Sequence, residues 1–268
     1  MSTSSKKSIR TNIMKKMLNR VPEVTIYFWI IKVLATTVGE TAADFLSATL
    51  NLGLGVTSYI MSSVLLIVLL NQFKLKRYVP ASFWFVVVLI SIVGTLITDR
   101  LVDELGVSLV TTTVIFSVSL LVVFALWYAN EKTLAMHSIN TAKRELFYWV
   151  TVLFTFALGT ATGDLLAEAL KVGYAQSALI FGASIAIIAI AYYYFQMNAV
   201  LAFWLAYILT RPLGASMGDL LSQSSTNGGF GFGTVGTSML FLSIIASLVI
   251  YLTLTQKKPA LLPIDRQD

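Results

Sequence analysis

The chain has 268 residues, of which 57% are hydrophobic and only 12% charged, with a formal net charge of +6 and a mean hydropathy of +0.81. A soluble domain carries about twice that charged fraction, so the composition defines a polytopic membrane protein with no room for a soluble domain. The absence of cysteine and the single histidine, His137, exclude disulfides, thiolate metal sites and the usual nitrogen and sulfur ligands of zinc and copper, leaving only methionine sulfur as a soft donor.

In chain order, residues 1–22 are polar and basic, and Ile9, Ile13 and Met17 recur every four residues among Lys and Arg. That pattern fits a short interfacial helix or a disordered tail, and no cleavable signal peptide is expected. Apolar spans follow near 24–46, 53–73, 80–101, 108–129, 146–169, 174–195, 199–221 and 234–254. Each is long enough to cross a hydrocarbon core of ~30 Å. The fold class is therefore all-α, a polytopic membrane protein of eight transmembrane helices.

The even-numbered spans carry no charge in their cores and read as an outer, lipid-facing layer. Gly53, Gly55, Gly106 and Gly173 read as turn residues. The 227–236 stretch, NGGFGFGTVG, reads as a mobile outer loop; it lacks the Lys-Ser/Thr of a phosphate loop.

Charge distribution sets the expected orientation. Fifteen Lys and Arg fall on one side: Lys6, Lys7, Arg10, Lys15, Lys16, Arg20, Lys74, Lys76, Arg77, Lys132, Lys143, Arg144, Lys257, Lys258 and Arg266. The other side has Arg100 and Lys171, while Lys32 and Arg211 lie within spans. Positive residues favour the cytoplasmic face, so both termini are expected there. The excess charge is thus a topology signal, not a nucleic-acid footprint.

Four stretches align: FWIIKVLATTVGETAADFL (28–46), FWFVVVLISIVGTLITDRL (83–101), YWVTVLFTFALGTATGDLL (148–166) and FWLAYILTRPLGASMGDLL (203–221). Each opens with an aromatic residue and Trp, has Gly ten residues later and Asp five beyond that. The tryptophans are Trp29, Trp84, Trp149 and Trp204, the glycines Gly39, Gly94, Gly159 and Gly214, and the aspartates Asp44, Asp99, Asp164 and Asp219. All four copies start odd-numbered spans and run in the same direction. The expected organisation is a cytoplasmic tail (1–22), repeat 1 (23–78), repeat 2 (79–130), a cytoplasmic linker (131–145), repeat 3 (146–197), repeat 4 (198–256) and a second tail (257–268). These would be four parallel two-helix repeats in a pseudo-symmetric arrangement.

This pattern resembles a bacterial membrane family built from four tandem two-helix repeats of unknown function, each marked by a tryptophan. The resemblance covers roughly residues 23–255. It implies the repeat architecture and a bacterial inner-membrane location, and supplies no substrate or catalytic residue. The second copy diverges most, with Arg100 beside Asp99.

On a helix turning 100° per residue, with Trp at 0°, Gly falls at about −80° and the residue four later at about −40°. Those residues are Ala43, Thr98, Gly163 and Gly218, and small residues four apart let membrane helices approach closely. Gly39, Gly94, Gly159, Gly163, Gly214 and Gly218 are the expected packing residues. The Asp falls at about +60°, with Glu40 at about +20°. Trp to Asp spans ~22 Å, which puts the carboxylates in the outer half of the bilayer if the tryptophans sit in the inner aromatic belt. Pro212 and the glycines around it are expected to break the seventh helix.

Intramembrane ions are costly and mark sites or pathways. The ion pathway is accordingly expected to use Glu40, Asp44, Asp99, Asp164 and Asp219, with Lys32 and Arg211 as counter-charges paired to other helices. The bland alternatives are aspartates at wet helix ends, snorkelling Lys32 and Arg211, and tryptophans as interfacial anchors. Carboxylates and hydroxyls are hard ligands, so Glu40, Asp44, Asp164 and Asp219 are the expected metal ligands.

The expected function is a transporter for a cation, Mn²⁺ or another hard divalent ion, as a proton-coupled exporter. Alternatives are a passive cation channel and an exporter of a small organic solute. An enzyme is not expected: residues 161–164 and 216–219 read ATGD and SMGD, not the Gly-x-Gly-Asp of aspartyl intramembrane proteases. No cofactor is expected. The expected partners are membrane lipid and the cation, no nucleic acid, with a homo-oligomer left open.

Overall fold

A computed structural model describes residues 19–256. The expected interfacial helix around Ile9, Ile13 and Met17, most of the first tail and the tail 257–268 lie outside the described residues. Eight helices are each long and apolar enough to cross a membrane: α1 (Ile26–Thr49), α2 (Leu54–Lys74), α3 (Pro80–Glu104), α4 (Leu109–Glu131), α5 (Ala142–Ala169), α6 (Tyr174–Tyr194), α7 (Ala199–Ser222) and α8 (Gly233–Thr255). There is no strand among the described residues. The chain is a multi-pass membrane protein.

Local chemistry starts and stops these helices. Thr25 caps α1 by accepting from the Phe28 amide, Thr141 caps α5 at Arg144, and Asn198 caps α7 at Val200 and Leu201. Such side-chain acceptors satisfy amides that the first turn leaves unpaired. Pro80 opens α3, where its missing N–H costs nothing. Three inner helices run past the repeat aspartate and finish as a five-residue π-helical turn: Phe45–Thr49, Arg100–Glu104 and Leu165–Ala169. The wider turn sits beside the candidate site, a common position for π-bulges.

The odd helices form an inner ring. In their apolar windows 56% to 78% of residues are buried, against 11% to 22% for the even helices. The ring closes through its glycines. A Cβ on Gly39 would overlap Ser91 of α3; on Gly94, Phe156 of α5; on Gly159, Arg211 of α7; and on Gly214, Thr36 of α1. Each glycine therefore receives the side chain three residues before the next repeat's glycine, and the fourth step returns to the first helix. That is a head-to-tail, pseudo-fourfold interface within one chain. At the next small position, Gly218 faces Glu40 and Thr37, and Gly163 faces Ala215 and Pro212.

Each even helix covers the inner helix of the following repeat: α2 packs on α3, α4 on α5, α6 on α7, and α8 on α1. Thr41 of α1 and Ser238 of α8 share a hydrogen bond of 2.7 Å, and at the other end Tyr27 and Tyr251 lie 5.5 Å apart. The last helix thus closes the circle by covering the first, antiparallel to it.

Three expectations change. α7 runs unbroken from Ala199 to Ser222 with Pro212 inside it, because Gly159 leaves room for the proline ring and the Arg211 stem. The Gly-rich 227–236 stretch is not a free loop. Phe230, Gly231 and Phe232 donate to the carbonyls of Leu220, Gln223 and Leu221, and α8 already begins at Gly233. Three of the four repeat tryptophans are not lipid anchors: Trp84, Trp149 and Trp204 are only 2%, 2% and 4% exposed, because each packs against an aromatic residue of the preceding inner helix, whereas Trp29 is only partly buried.

A larger residue at a ring glycine overpacks a helix–helix seam, which costs about 1–3 kcal/mol. Gly214→Val is expected to lower the thermal midpoint in detergent. Gly236→Ala, where the added methyl meets nothing within 4 Å, is expected to leave it unchanged.

Candidate cation site

Reading up the ring from the tryptophans gives a stack of layers. At the Trp end Phe28, Phe83 and Tyr148 are buried at 2%, 0% and 0% exposure. They interlock with the tryptophans: Phe83 lies 5.1 Å from Trp149, Phe28 5.6 Å from Trp84, and Phe203 5.1 Å from Trp204. Their polar edges are satisfied locally. Trp84 Nε1 donates to the Tyr78 hydroxyl at 3.1 Å, Trp204 Nε1 to the Leu134 carbonyl at 2.9 Å, and Trp149 Nε1 to Glu145 at 3.3 Å. Burial pushes the Tyr78 hydroxyl, in the loop before α3, above its ordinary pKa, and the Trp84 bond partly offsets this. This aromatic plug closes one end of the ring.

Glu145 is fully buried beneath the plug and was missed from the sequence. It accepts from Arg20 (2.7 Å), Gln72 (3.2 Å) and Trp149. Its charge-assisted bonds pin the segment before α1 to the ends of α2 and α5.

Above the plug lie two buried cations. Lys32 Nζ donates to Thr210 Oγ1 at 3.2 Å and lies over the Phe156 and Tyr207 rings. Arg211 is fully buried. It donates to Glu40 Oε2 at 2.8 Å, to Thr160 Oγ1 at 2.7 Å, to the Thr36 carbonyl at 3.3 Å and to Thr95 Oγ1. One guanidinium therefore ties α7 to α1, α3 and α5. Snorkelling describes neither residue, since both have 0% exposure. Arg211 pairs with a carboxylate of another helix; Lys32, among the described residues, meets a hydroxyl and two ring faces.

Above Arg211 a cavity of about 340 Å³ occupies the Asp end of the ring. All four repeat aspartates line it: Asp44, Asp99, Asp164 and Asp219, together with Glu40. Asp219 is only 7% exposed. None of the four aspartate carboxylates has a hydrogen-bond or ion-pair partner among the described residues. One carboxylate oxygen each from Glu40, Asp164 and Asp219 lie within 4.8 Å of one another. That separation is about twice a Ca²⁺–oxygen distance, so one hard cation can bridge the three. Asp44, the fourth expected ligand, lines the cavity outside this closest trio.

Asp103 and Glu168 also line the cavity and escaped the sequence reading. They stand four residues after Asp99 and Asp164, one helical turn on, on the π-turns. The equivalent residues of the other copies, Ala48 and Gln223, line it too. Asp103 and Glu168 are exposed, which places them at the mouth. The cavity is thus acidic, open at the Asp end and blind at the Arg211 end.

The fold and the site define a repeat-built, multi-pass membrane protein with an acidic cavity at one end of its ring of inner helices. The family described as Repeat of Unknown Function (DUF347) matches residues 27–78, 82–133, 147–198 and 202–258, and the chain belongs to it. No curated protein and no solved structure shows significant similarity to the chain.

Removing one partner of a buried ion pair costs about 3–5 kcal/mol, because the other charge stays buried. Arg211→Met is expected to destabilise by that amount in denaturant titration. The double variant Glu40→Met/Arg211→Met is expected to recover at least half of the loss, as the pair's coupling predicts.

Proposed function

We propose that the chain is a transporter for a small, hard cation, not an enzyme, and that the blind acidic cavity is its binding vestibule. The observation that carries this reading is the set of unpartnered carboxylates held around one cavity inside the ring. Each ionised carboxylate at membrane depth costs at least a few kcal/mol, and four at one repeat position serve no packing purpose. Glu40, Asp164 and Asp219 hold the ion most closely; Asp44 and Asp99 complete the wall; Asp103 and Glu168 at the mouth attract cations from water.

Two features separate this reading from its alternatives. The aromatic plug and the two buried cations block the ring below the cavity, which favours a gated carrier over a passive channel. The cavity lining contains no aromatic residue, which favours a cation over a stacked organic solute. The basic residues Arg20, Lys74, Lys76, Arg77, Lys132, Lys143 and Arg144 cluster at the Trp end. This supports a cytoplasmic Trp end with both termini cytoplasmic, so that the cavity faces outward, as in an exporter releasing Mn²⁺ or a similar ion from a bacterial inner membrane.

Proteoliposome flux with a Mn²⁺-quenched dye and a pH dye tests the reading. The wild type is expected to show saturable Mn²⁺ movement with an opposing pH change. Asp164→Asn and Asp219→Asn are each expected to lower the rate by about tenfold or more, since ligand charge sets affinity. Ser243→Ala, exposed on α8, is expected to match the wild type. No flux of Mn²⁺, Mg²⁺ or Ca²⁺ by folded protein, or undiminished flux in both aspartate variants, contradicts it.

A further inference from the structure

Lys32 is a buried ionisable group that the carboxylate cavity does not use. It is 0% exposed and sits eight residues, or ~12 Å along α1, below Glu40. Its ammonium lies 4.1 Å from the Phe156 ring centroid and 4.2 Å from that of Tyr207. These two rings are parallel within 9° and 6.4 Å apart. Its hydrogen-bond partner, Thr210 Oγ1, spends its own proton on the Tyr207 carbonyl.

The charged and titratable groups around Lys32 come from each packed element. α7 presents Arg211, whose like charge acts on it, and Tyr207. α5 presents Tyr148, whose hydroxyl lies 3.4 Å from that of Tyr207. α1 itself offers Glu40, already bound to Arg211. α3 carries its charges only at its Asp end, and α8 carries none in its span.

The two buried cations are therefore held in opposite ways. The permanently charged arginine takes the carboxylate. The lysine, which can shed its proton where arginine cannot, is held by neutral groups alone. Ring faces attract an ammonium, and Thr210 accepts equally from an ammonium or a neutral amine. The box holds either form without rearrangement.

We propose that Lys32 carries the proton exchanged for the bound cation, which rests on the carboxylate site being the cation site. As the ion settles among Glu40, Asp164 and Asp219, one N–H bond of the ammonium breaks. The electron pair stays on Nζ, and the proton passes to water that enters from the cavity once the ion has drawn Glu40 away from Arg211. When the ion leaves, a proton from water takes that pair back. The coupling is electrostatic: a divalent ion above Arg211 adds positive charge to an interior that screens poorly.

Calorimetric titration of the detergent-solubilised full chain with Mn²⁺, in buffers of different ionisation enthalpy, counts protons released per ion bound. Lys32→Arg and Lys32→Gln are each expected to release about one proton fewer than the wild type. Their affinities are expected to move oppositely, weaker for Arg, which keeps its charge, and tighter for Gln, a split that a merely structural role does not produce. Should one variant fail to fold, the other carries the test. Mn²⁺ binding with an unchanged proton count overturns the role of Lys32 and leaves the carboxylate site standing. No Mn²⁺ binding by folded wild type defeats the carboxylate site and this inference with it.

Discussion

A single guanidinium holds the centre of this molecule. Arg211 bonds to groups on all three other inner helices, at the level where the acidic cavity ends and the occluded part of the ring begins. Its stem fits only because Gly159 has no side chain. Its charge is tolerated only because Glu40 answers it. Glu40 in turn belongs to the closest carboxylate trio, so whatever occupies that trio competes with Arg211 for one carboxylate. The proposed ion site and the cross-link that ties the inner helices together thus share a carboxylate. This is the simplest physical route from occupancy to conformational change, since a ligand shifts an equilibrium only by binding the two states differently.

The repeat supplies the frame, and departures from it supply the chemistry. Glycine and aspartate occur in all four copies at fixed positions, and they build the seams and the cavity wall. The other ionisable residues inside the ring break the pattern: Lys32 stands where the other copies have Val87, Val152 and Tyr207, Glu40 where they have Thr95, Thr160 and Ala215, and Arg211 where they have Thr36, Ser91 and Phe156. A symmetric ring with a carboxylate at every equivalent position resembles the charged rings of open pores. Here one copy contributes an arginine at the axis, and the path is blocked instead.

The frame was legible in the sequence because four copies of one spacing repeat a helical period. Span number, the parallel repeats and the glycine face all follow from residue type and a 100° step. The aspartates could be placed at one level for the same reason. What adjoins what across the ring could not be read. Arg211 and Glu40 are 171 residues apart, and the register between inner helices depends on side-chain volumes at Ser91, Phe156, Arg211 and Thr36. Trp84, Trp149 and Trp204 misled because a Trp at a helix start looks the same whether it faces lipid or an aromatic plug. Asp103 and Glu168 were overlooked because they fall one turn beyond the repeated motif, on π-turns that no periodicity marks. Glu145 was hidden by its place among basic residues of a loop-to-helix junction.

The central claim is that the Asp-end cavity holds a cation between Glu40, Asp164 and Asp219. Crystals grown with Mn²⁺ and measured at the manganese absorption edge test it most directly. The expected result is an anomalous peak inside the ring, within bonding distance of those three carboxylates, with Arg211 displaced from Glu40. An empty cavity at saturating Mn²⁺, or a peak only at surface carboxylates, would contradict it.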